Sequence, residues 1–211
     1  MTTSPPRGPD ALADAFGRID IYVFDQLLKG NLAPSMRVLD AGCGGGRNSA
    51  WLMRSGAEVF GVDRSEEAIA AIRGLAAERA PDLSPSNFQV AELRDLPFDD
   101  AVFDAVICSA VLHFSDDEVA FEAALREMWR MLAPGGLFFA RLASTIGIED
   151  RVQRREGDGR WYALPDGSDR FLVDEAYLME WTARLGGTLV DPLKNTVVQG
   201  MRSMTTWVVR R

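Results

Sequence analysis

Apolar residues recur along this chain in two rhythms, and their alternation predicts an α/β protein. From Ile19 they fall every four residues, at Ile19, Val23 and Leu27 with Phe24 and Leu28 beside them, which predicts a helix closed by Gly30. Val38 and Leu39 form a short apolar run that ends in a glycine-rich turn. Residues 47–55 then have a helical pattern up to Gly56, and Ala57 to Val62 reads as a second buried strand ending at Asp63. Ser65 is placed to cap the next helix, with Glu66 and Glu67 at the positive end of its dipole, and this alanine-rich helix runs to about Ala80. NFQVAEL reads as a strand and RDLPFDD as a turn. FDAVICSAVLHF is continuously apolar, as buried parallel strands are. Ser115 and Glu118 have capping-box spacing ahead of a helix that puts Phe121, Leu125, Met128 and Leu132 on one face. Pro134-Gly135-Gly136 ends that helix, and LFFARLA is the next strand. Asp174 opens a further helix bearing Tyr177, Leu178, Trp181 and Leu185. TLVDPLKNTVVQ and SMTTWVVRR predict two closing strands, paired antiparallel at one sheet edge.

The 211 residues suit one α/β domain over 11–211, preceded by a polar, proline-rich stretch at 1–10 that reads as a disordered tail. Residues 11–33 supply an N-terminal cap helix. Residues 144–171 break the α/β rhythm: they are polar, carry charges of both signs and hold the turn signal PDGS, so they read as an insertion with a hairpin around Trp161–Phe171. Within it, Glu149, Asp150, Arg151, Arg154 and Arg155 read as a solvated face of mixed charge. The formal net charge of −8 lacks the electrostatic footprint of a nucleic-acid binder. Two cysteines, Cys43 and Cys108, make no disulfide framework and read as buried thiols in a reducing cytoplasm. No signal peptide and no apolar stretch long enough for a membrane span is visible, so a cytoplasmic protein, monomeric or homodimeric, is expected. Neither a spaced Cys/His set for a metal nor the nucleophile signature G-x-S-x-G is present.

The chemistry concentrates in D-A-G-C-G-G-G at 40–46, which follows a strand and opens a helix. Glycines there let the backbone turn sharply and let a ligand approach without a Cβ in the way. About 20 residues on, Asp63 ends the second strand, where a carboxylate accepts both hydroxyl protons of a ribose. Glycine loop and acid together imply a nucleoside-containing ligand at the carboxyl ends of parallel strands. A dinucleotide fingerprint G-x-G-x-x-G begun at Gly42 needs its third glycine at position 47, which is Arg47; the pattern present is G-x-G-x-G. That argues against a nicotinamide dinucleotide and for a nucleoside without a pyrophosphate.

VLDAGCGGGRNS and VFGVDRS resemble the first two motifs of class I S-adenosylmethionine (SAM)-dependent methyltransferases. AELRDLPF resembles their adenine-side segment, FDAVICSAVLHF their strand-four motif, and LREMWRMLAPGGLFFA their helix–P-G-G–strand-five motif. Five motifs in order cover about residues 36–142. GCGGGRNS is also similar to the tellurite-resistance and thiopurine-type branch, over a few residues. The resemblance implies a three-layer Rossmann-like sandwich whose mostly parallel seven-stranded sheet carries an antiparallel C-terminal edge hairpin. It implies SAM as cofactor, S-adenosylhomocysteine (SAH) as product and a small-molecule acceptor. Gly42 and Gly44, with Cys43 between them, are then expected along the methionine and ribose portions, and Asp40 facing the methionine ammonium. Asp63 is expected on the ribose hydroxyls, Arg64 along the adenine, Glu92 and Leu93 at its edge, and Ser109 at the methionyl end. Glu92 departs from the family pattern, which often has Asp there.

Methyl transfer from a sulfonium is an in-line displacement that asks for positioning and exclusion of water, with a base only where the nucleophile must lose a proton. His113, the one histidine, is the candidate base. Trp161 and Tyr162 are candidate acceptor contacts, because the segment after strand five commonly covers the acceptor in such folds; Tyr22, in the N-terminal helix, is a candidate to cover the cofactor or touch the acceptor, and Arg47 to bind an anionic substrate or the cofactor carboxylate. Two other readings stand beside the enzyme: a catalytically silent SAM- or SAH-binding regulator, and a nicotinamide-dependent oxidoreductase.

Overall fold

The computed structural model describes residues 9–157 and 159–211. The tail expected at 1–10 therefore lies outside the described residues except for Pro9 and Asp10, which open the first helix. The chain divides into two compact units, Met1–Val90 and Ala91–Arg211.

In the first unit, α1 (Pro9–Phe16) and α2 (Ile21–Leu28) take the place of the single cap helix expected at 11–33. The break has a local cause. Gly17 adopts φ 60, and the Asp20 carboxylate accepts from the Tyr22 amide at 3.0 Å, starting a new helix. Phe16 then packs edge-on against Phe24 and stacks on Trp51. There follow β1 (Arg37–Ala41), α3 (Ala50–Ser55), β2 (Glu58–Asp63), α4 (Glu66–Arg79) and β3 (Phe88–Val90). The strands pair parallel, β1 with β2 and β2 with β3, so Asp40 lies in register with Gly61 and Asp63 with Val90. Val38, Leu39, Val59 and Val62 are fully buried, as the continuous apolar runs require. Helix α3 is shorter than the pattern at 47–55 implied. The hydroxyl of Ser49, its N-cap residue, donates to Asp40 instead of capping the helix, and residues 47–49 form turns. Ser65 does cap α4, accepting from the Ala68 amide at 3.1 Å.

The second unit begins its regular structure with β4 (Phe103–Ser109), a 3-10 turn at Leu112–Phe114, and α5 (Glu118–Met131). Asp117 caps α5 through the Ala120 amide; Ser115, expected in a capping box, donates instead to the Leu112 carbonyl and closes the 3-10 turn. Strand β5 (Leu132–Ser144) absorbs Pro134-Gly135-Gly136 as an irregularity: its register against β4 moves from Phe103↔Leu132 to Ala105↔Leu137. Gly135 at φ 79 permits the detour. A small antiparallel sheet follows, β6 (Gln153–Arg154), β7 (Trp161–Ala163) and β8 (Asp169–Phe171), then α6 (Glu175–Arg184). Phe171 anchors this sheet, stacked on Phe121 of α5 at 4.8 Å and 6.4 Å from Tyr177 of α6. Arg160 closes the other side, its guanidinium 3.8 Å from the Tyr177 ring and 2.8 Å from Asp174.

The stretch TLVDPLKNTVVQ yields two strands, β9 (Thr188–Leu189) and β10 (Lys194–Val198), with Pro192 in the break, where a residue without N–H cannot continue a ladder. Both pair antiparallel with β11 (Arg202–Arg210), which also pairs antiparallel with β5. Among the described residues no helix is long and apolar enough to cross a membrane.

Candidate functional site

The glycine loop is built at the carboxyl ends of β1 and β2. Gly42, at φ 77, and Cys43 both donate their amides to the Val62 carbonyl, at 2.8 and 2.9 Å, which folds the chain back over β2. Gly44 (φ 51) and Gly46 (φ 82) are also left-handed, but for different reasons. A Cβ on Gly46 would stand 2.8 Å from Leu75 and 2.9 Å from Ile72, so this glycine lets α4 close on the loop. A Cβ on Gly44 would meet nothing within 4 Å, so its face is open to a ligand. Asp63 shapes the loop directly. One carboxylate oxygen accepts from the Gly44 amide at 2.9 Å and the other from the Ser65 amide at 3.0 Å. Each oxygen keeps capacity for a further donor.

Asp40 is buried beneath this loop and accepts from Ser49 Oγ at 2.5 Å. Burial pushes its carboxyl up to about 6, against the opposing effects of the Ser49 hydrogen bond and the Arg47 charge. Arg47 and Asn48 tie the segment to α2: Arg47 lies 4.0 Å from the Asp20 carboxylate, and Asn48 Oδ1 accepts from the Asp20 amide at 3.0 Å. Tyr22 is half-buried in the first turn of that helix, and Arg64 is exposed. Burial, with Asp40 and Asp63 alongside, holds the Cys43 thiol far above its usual range and keeps it unreactive.

In the second unit Glu92 is exposed and Leu93 half-buried, and the Glu92 carbonyl accepts from the Asp95 amide at 3.0 Å. Arg130 of α5 holds the segment beyond them by donating to the Phe98 carbonyl at 3.0 Å and pairing with Glu127 at 2.7 Å. Ser109 is buried at the carboxyl end of β4, in register with Arg141 of β5. The next residue, Ala110, is held at φ 63 and donates to the Arg141 carbonyl at 2.7 Å. A non-glycine residue in this conformation carries about 1 kcal/mol of strain.

His113 is buried, and its Nδ1 accepts from the Ala143 amide at 3.3 Å. That bond places the proton of the neutral ring on Nε2. Burial, reinforced by the charges of Arg170 and Arg141, lowers its pKa to about 4. With Nδ1 so occupied, the neutral ring presents its Nε2–H as a donor. Trp161 and Tyr162 lie side by side on β7 and so face opposite ways. Trp161 pairs across the hairpin with Phe171 and donates to the Asp116 carbonyl. Tyr162 pairs with Arg170 and packs against Ala143, Leu164 and Leu172.

Sequence reasoning passed over Ser49, Asn48, Arg141 and Arg170. A charge inside the apolar run LFFARLA was the available signal for Arg141. Arg170, cross-strand from Tyr162, gave none.

A family model described as "Methyltransferase domain" matches residues 39–140. An uncharacterized methyltransferase from Synechocystis is 36% identical over 117 residues, 54% of this chain and 51% of that protein, so the match spans about half the relative's length. A malonyl-[acyl-carrier protein] O-methyltransferase from Enterobacter lignolyticus is 32% identical over 184 residues, 82% of this chain and 67% of that protein. Among solved structures, magnesium protoporphyrin IX methyltransferase from Synechocystis, with bound SAH, aligns with a TM-score of 0.67 at 20% identity, covering 91% of this chain and 81% of that one. The shared fold is Rossmann-like: mostly parallel strands flanked by helices, with antiparallel strands near the C-terminus.

Proposed function

Because the chain belongs to the class I SAM-dependent methyltransferase family, we propose that it transfers a methyl group from SAM to a small-molecule acceptor in the cytoplasm. The observation that carries this reading is the left-handed glycine loop whose Gly44 amide is held by the acid at the end of the neighbouring strand, at 2.9 Å. The residues present fit the cofactor. Gly44 leaves its Cβ space open, Asp63 retains acceptor capacity for two ribose hydroxyls, and Asp40 is a buried carboxylate of the charge that a methionine ammonium needs. Gly42 and Cys43 continue the backbone wall of the loop, and Arg64 follows Asp63 on the adenine side. The motif resemblance carries Glu92 and Leu93 as adenine contacts and Ser109 as a methionyl contact.

When bound, SAM supplies a methyl group on a sulfonium. The chain's own residues then have to orient and desolvate the nucleophile, not activate it through covalent chemistry. A donor at His113 Nε2 suits an acceptor that arrives as an oxyanion or an ionised acid, for which no general base is required. The Enterobacter relative is named for O-methylation, and O-methylation of a small molecule is the chemistry this donor supports.

Calorimetry with SAH against wild type and Asp63→Ala tests the cofactor reading. Loss of a charged acceptor is expected to weaken binding by about 1.5–3 kcal/mol, whereas Asp63→Asn, which keeps an acceptor, loses less. SAH binding that is unchanged by Asp63→Ala overturns the assignment of the loop. Transfer of label from methyl-labelled SAM to any acceptor in a panel separates the enzyme from a silent binder.

A further inference from the structure

The second unit gathers positive charge around its one histidine from segments far apart in the chain. His113 lies against Phe114, ring centroids 4.4 Å apart, and the Arg170 guanidinium lies over the Phe114 ring at 4.9 Å. Arg141 stands at the carboxyl end of β5, opposite Ser109 and two residues before Ala143, whose amide fixes the His113 ring. Residues 141 and 143 share one face of the strand. The charges acting on His113 are those of Arg170 and Arg141. Arg170 donates one guanidinium N–H to the Asp169 carbonyl at 2.6 Å, and its charge helps hold down the carboxyl of Asp166, whose Oδ1 accepts from the Ser168 amide and hydroxyl at 3.0 and 2.6 Å. Ala143 itself belongs to a buried apolar cluster with Leu164 and Leu172, on which Tyr162, Val152 and Met204 pack, so the strand that fixes the imidazole is held rigidly.

We propose that Arg170, Arg141 and the Nε2–H of His113 form a receptor for the carboxylate or related oxyanion of an acceptor whose body is apolar. The inference rests on the methyltransferase reading and adds the chemical class of its substrate. Guanidinium groups match planar oxyanions in geometry and remain charged at every working pH. A neutral imidazole donor adds a third hydrogen bond without competing for the anion. The exposed Phe114 ring suits the apolar portion, which makes a small aromatic or aliphatic acid a better fit than a sugar or an amine.

His113 is the chain's sole histidine, so its imidazole proton signals in NMR are unambiguous. Benzoate, malonate and acetate are titrated into wild type, with benzyl alcohol and methyl benzoate as neutral controls. At least one acid is expected to shift the His113 signals saturably, and the neutral compounds are not. Arg170→Gln should weaken that acid's binding about tenfold, while Arg170→Lys should retain part of it. Thermal melts report whether each variant folds. SAH calorimetry on the same variants locates the anion. Unchanged SAH affinity with weakened acid binding supports an acceptor site. Weakened SAH affinity with unchanged acid binding assigns the arginine to the cofactor's own carboxylate and overturns the proposal. So does an equal response to acids and neutral controls, or no response to any acid. A wild type that binds no SAH at all sinks the methyltransferase reading while leaving the anion measurement interpretable.

Discussion

The glycine loop and the cluster around His113 are built by different means. The loop acts through backbone: three left-handed glycines, amides aimed at neighbouring acceptors, and one carboxylate that holds the Gly44 amide in place. Its residues lie within 24 positions of one another, from Asp40 to Asp63. The His113 cluster is made of side chains, drawn from the turn after β4, from β5 and from a small hairpin, with His113 and Arg170 57 positions apart. A backbone site is written in glycines at fixed spacing and tolerates exchange of what lies between them. A side-chain site has no such spacing rule.

The largest effect that would test this separation is Phe171→Ala. Phe171 is fully buried, stacked on Phe121 and beside Tyr177, and it anchors the hairpin that carries Tyr162 and Arg170. Its truncation should cost about 3–5 kcal/mol. Below the lowered melting temperature, binding of acids should be lost and SAH affinity retained. Loss of both together would show that the two regions do not behave as separable sites.

That separation also explains what the sequence disclosed. The loop, Asp63 and the capped α4 were legible because each depends on neighbours close in the chain: a glycine where φ is positive, an acid at a strand end, and Ser65 before Glu66-Glu67. The break between α1 and α2 was missed because Gly17 and Asp20 sit inside an apolar rhythm that continues past them. Ser49 looked like a helix residue because its role, a hydrogen bond to buried Asp40, is tertiary. Arg170 and the tautomer of His113 were illegible for the same reason. The Ala143 amide that fixes the imidazole lies 30 residues away, and no local pattern reports it.

A second comparison sets the buried acid of one region against the buried base of the other. Asp40 has its pKa raised from 3.8 to about 6, so the folded state binds its proton more tightly than the unfolded state. Stability from this group is present below pH 4 and lost as pH rises to 6, by about 3 kcal/mol. His113 has its pKa lowered from 6.5 to about 4, so the unfolded state takes the proton first. Its contribution is present above pH 6.5 and lost as pH falls to 4, again by about 3 kcal/mol. The two slopes oppose each other across one window. Urea titrations should show Asp40→Asn gaining about 3 kcal/mol on wild type between pH 4 and 6, and His113→Asn gaining about as much on wild type as pH falls from 6.5 to 4. Parallel curves for either variant and wild type would refute the corresponding burial. Asp40→Asn should also weaken SAH binding at pH 7.5, so the substitution that stabilises the fold impairs the site.

The smallest effect divides the loop itself. Gly44 and Gly46 are two residues apart and both left-handed, yet only Gly46 has atoms where a side chain would go, Leu75 at 2.8 Å and Ile72 at 2.9 Å. Gly46→Ala adds overpacking to conformational strain and should cost about 2 kcal/mol of stability. Gly44→Ala carries the strain alone, about 1 kcal/mol. Affinity for SAH should rank the other way. The methyl on Gly44 projects into the open face that a ligand needs, so this milder substitution should weaken binding at least tenfold, while folded Gly46→Ala binds more nearly as wild type does. Denaturation midpoints and SAH calorimetry on the two variants decide the matter. If Gly44→Ala binds SAH as wild type does, the cofactor does not lie over Gly44, and the division of labour between the two glycines fails with it.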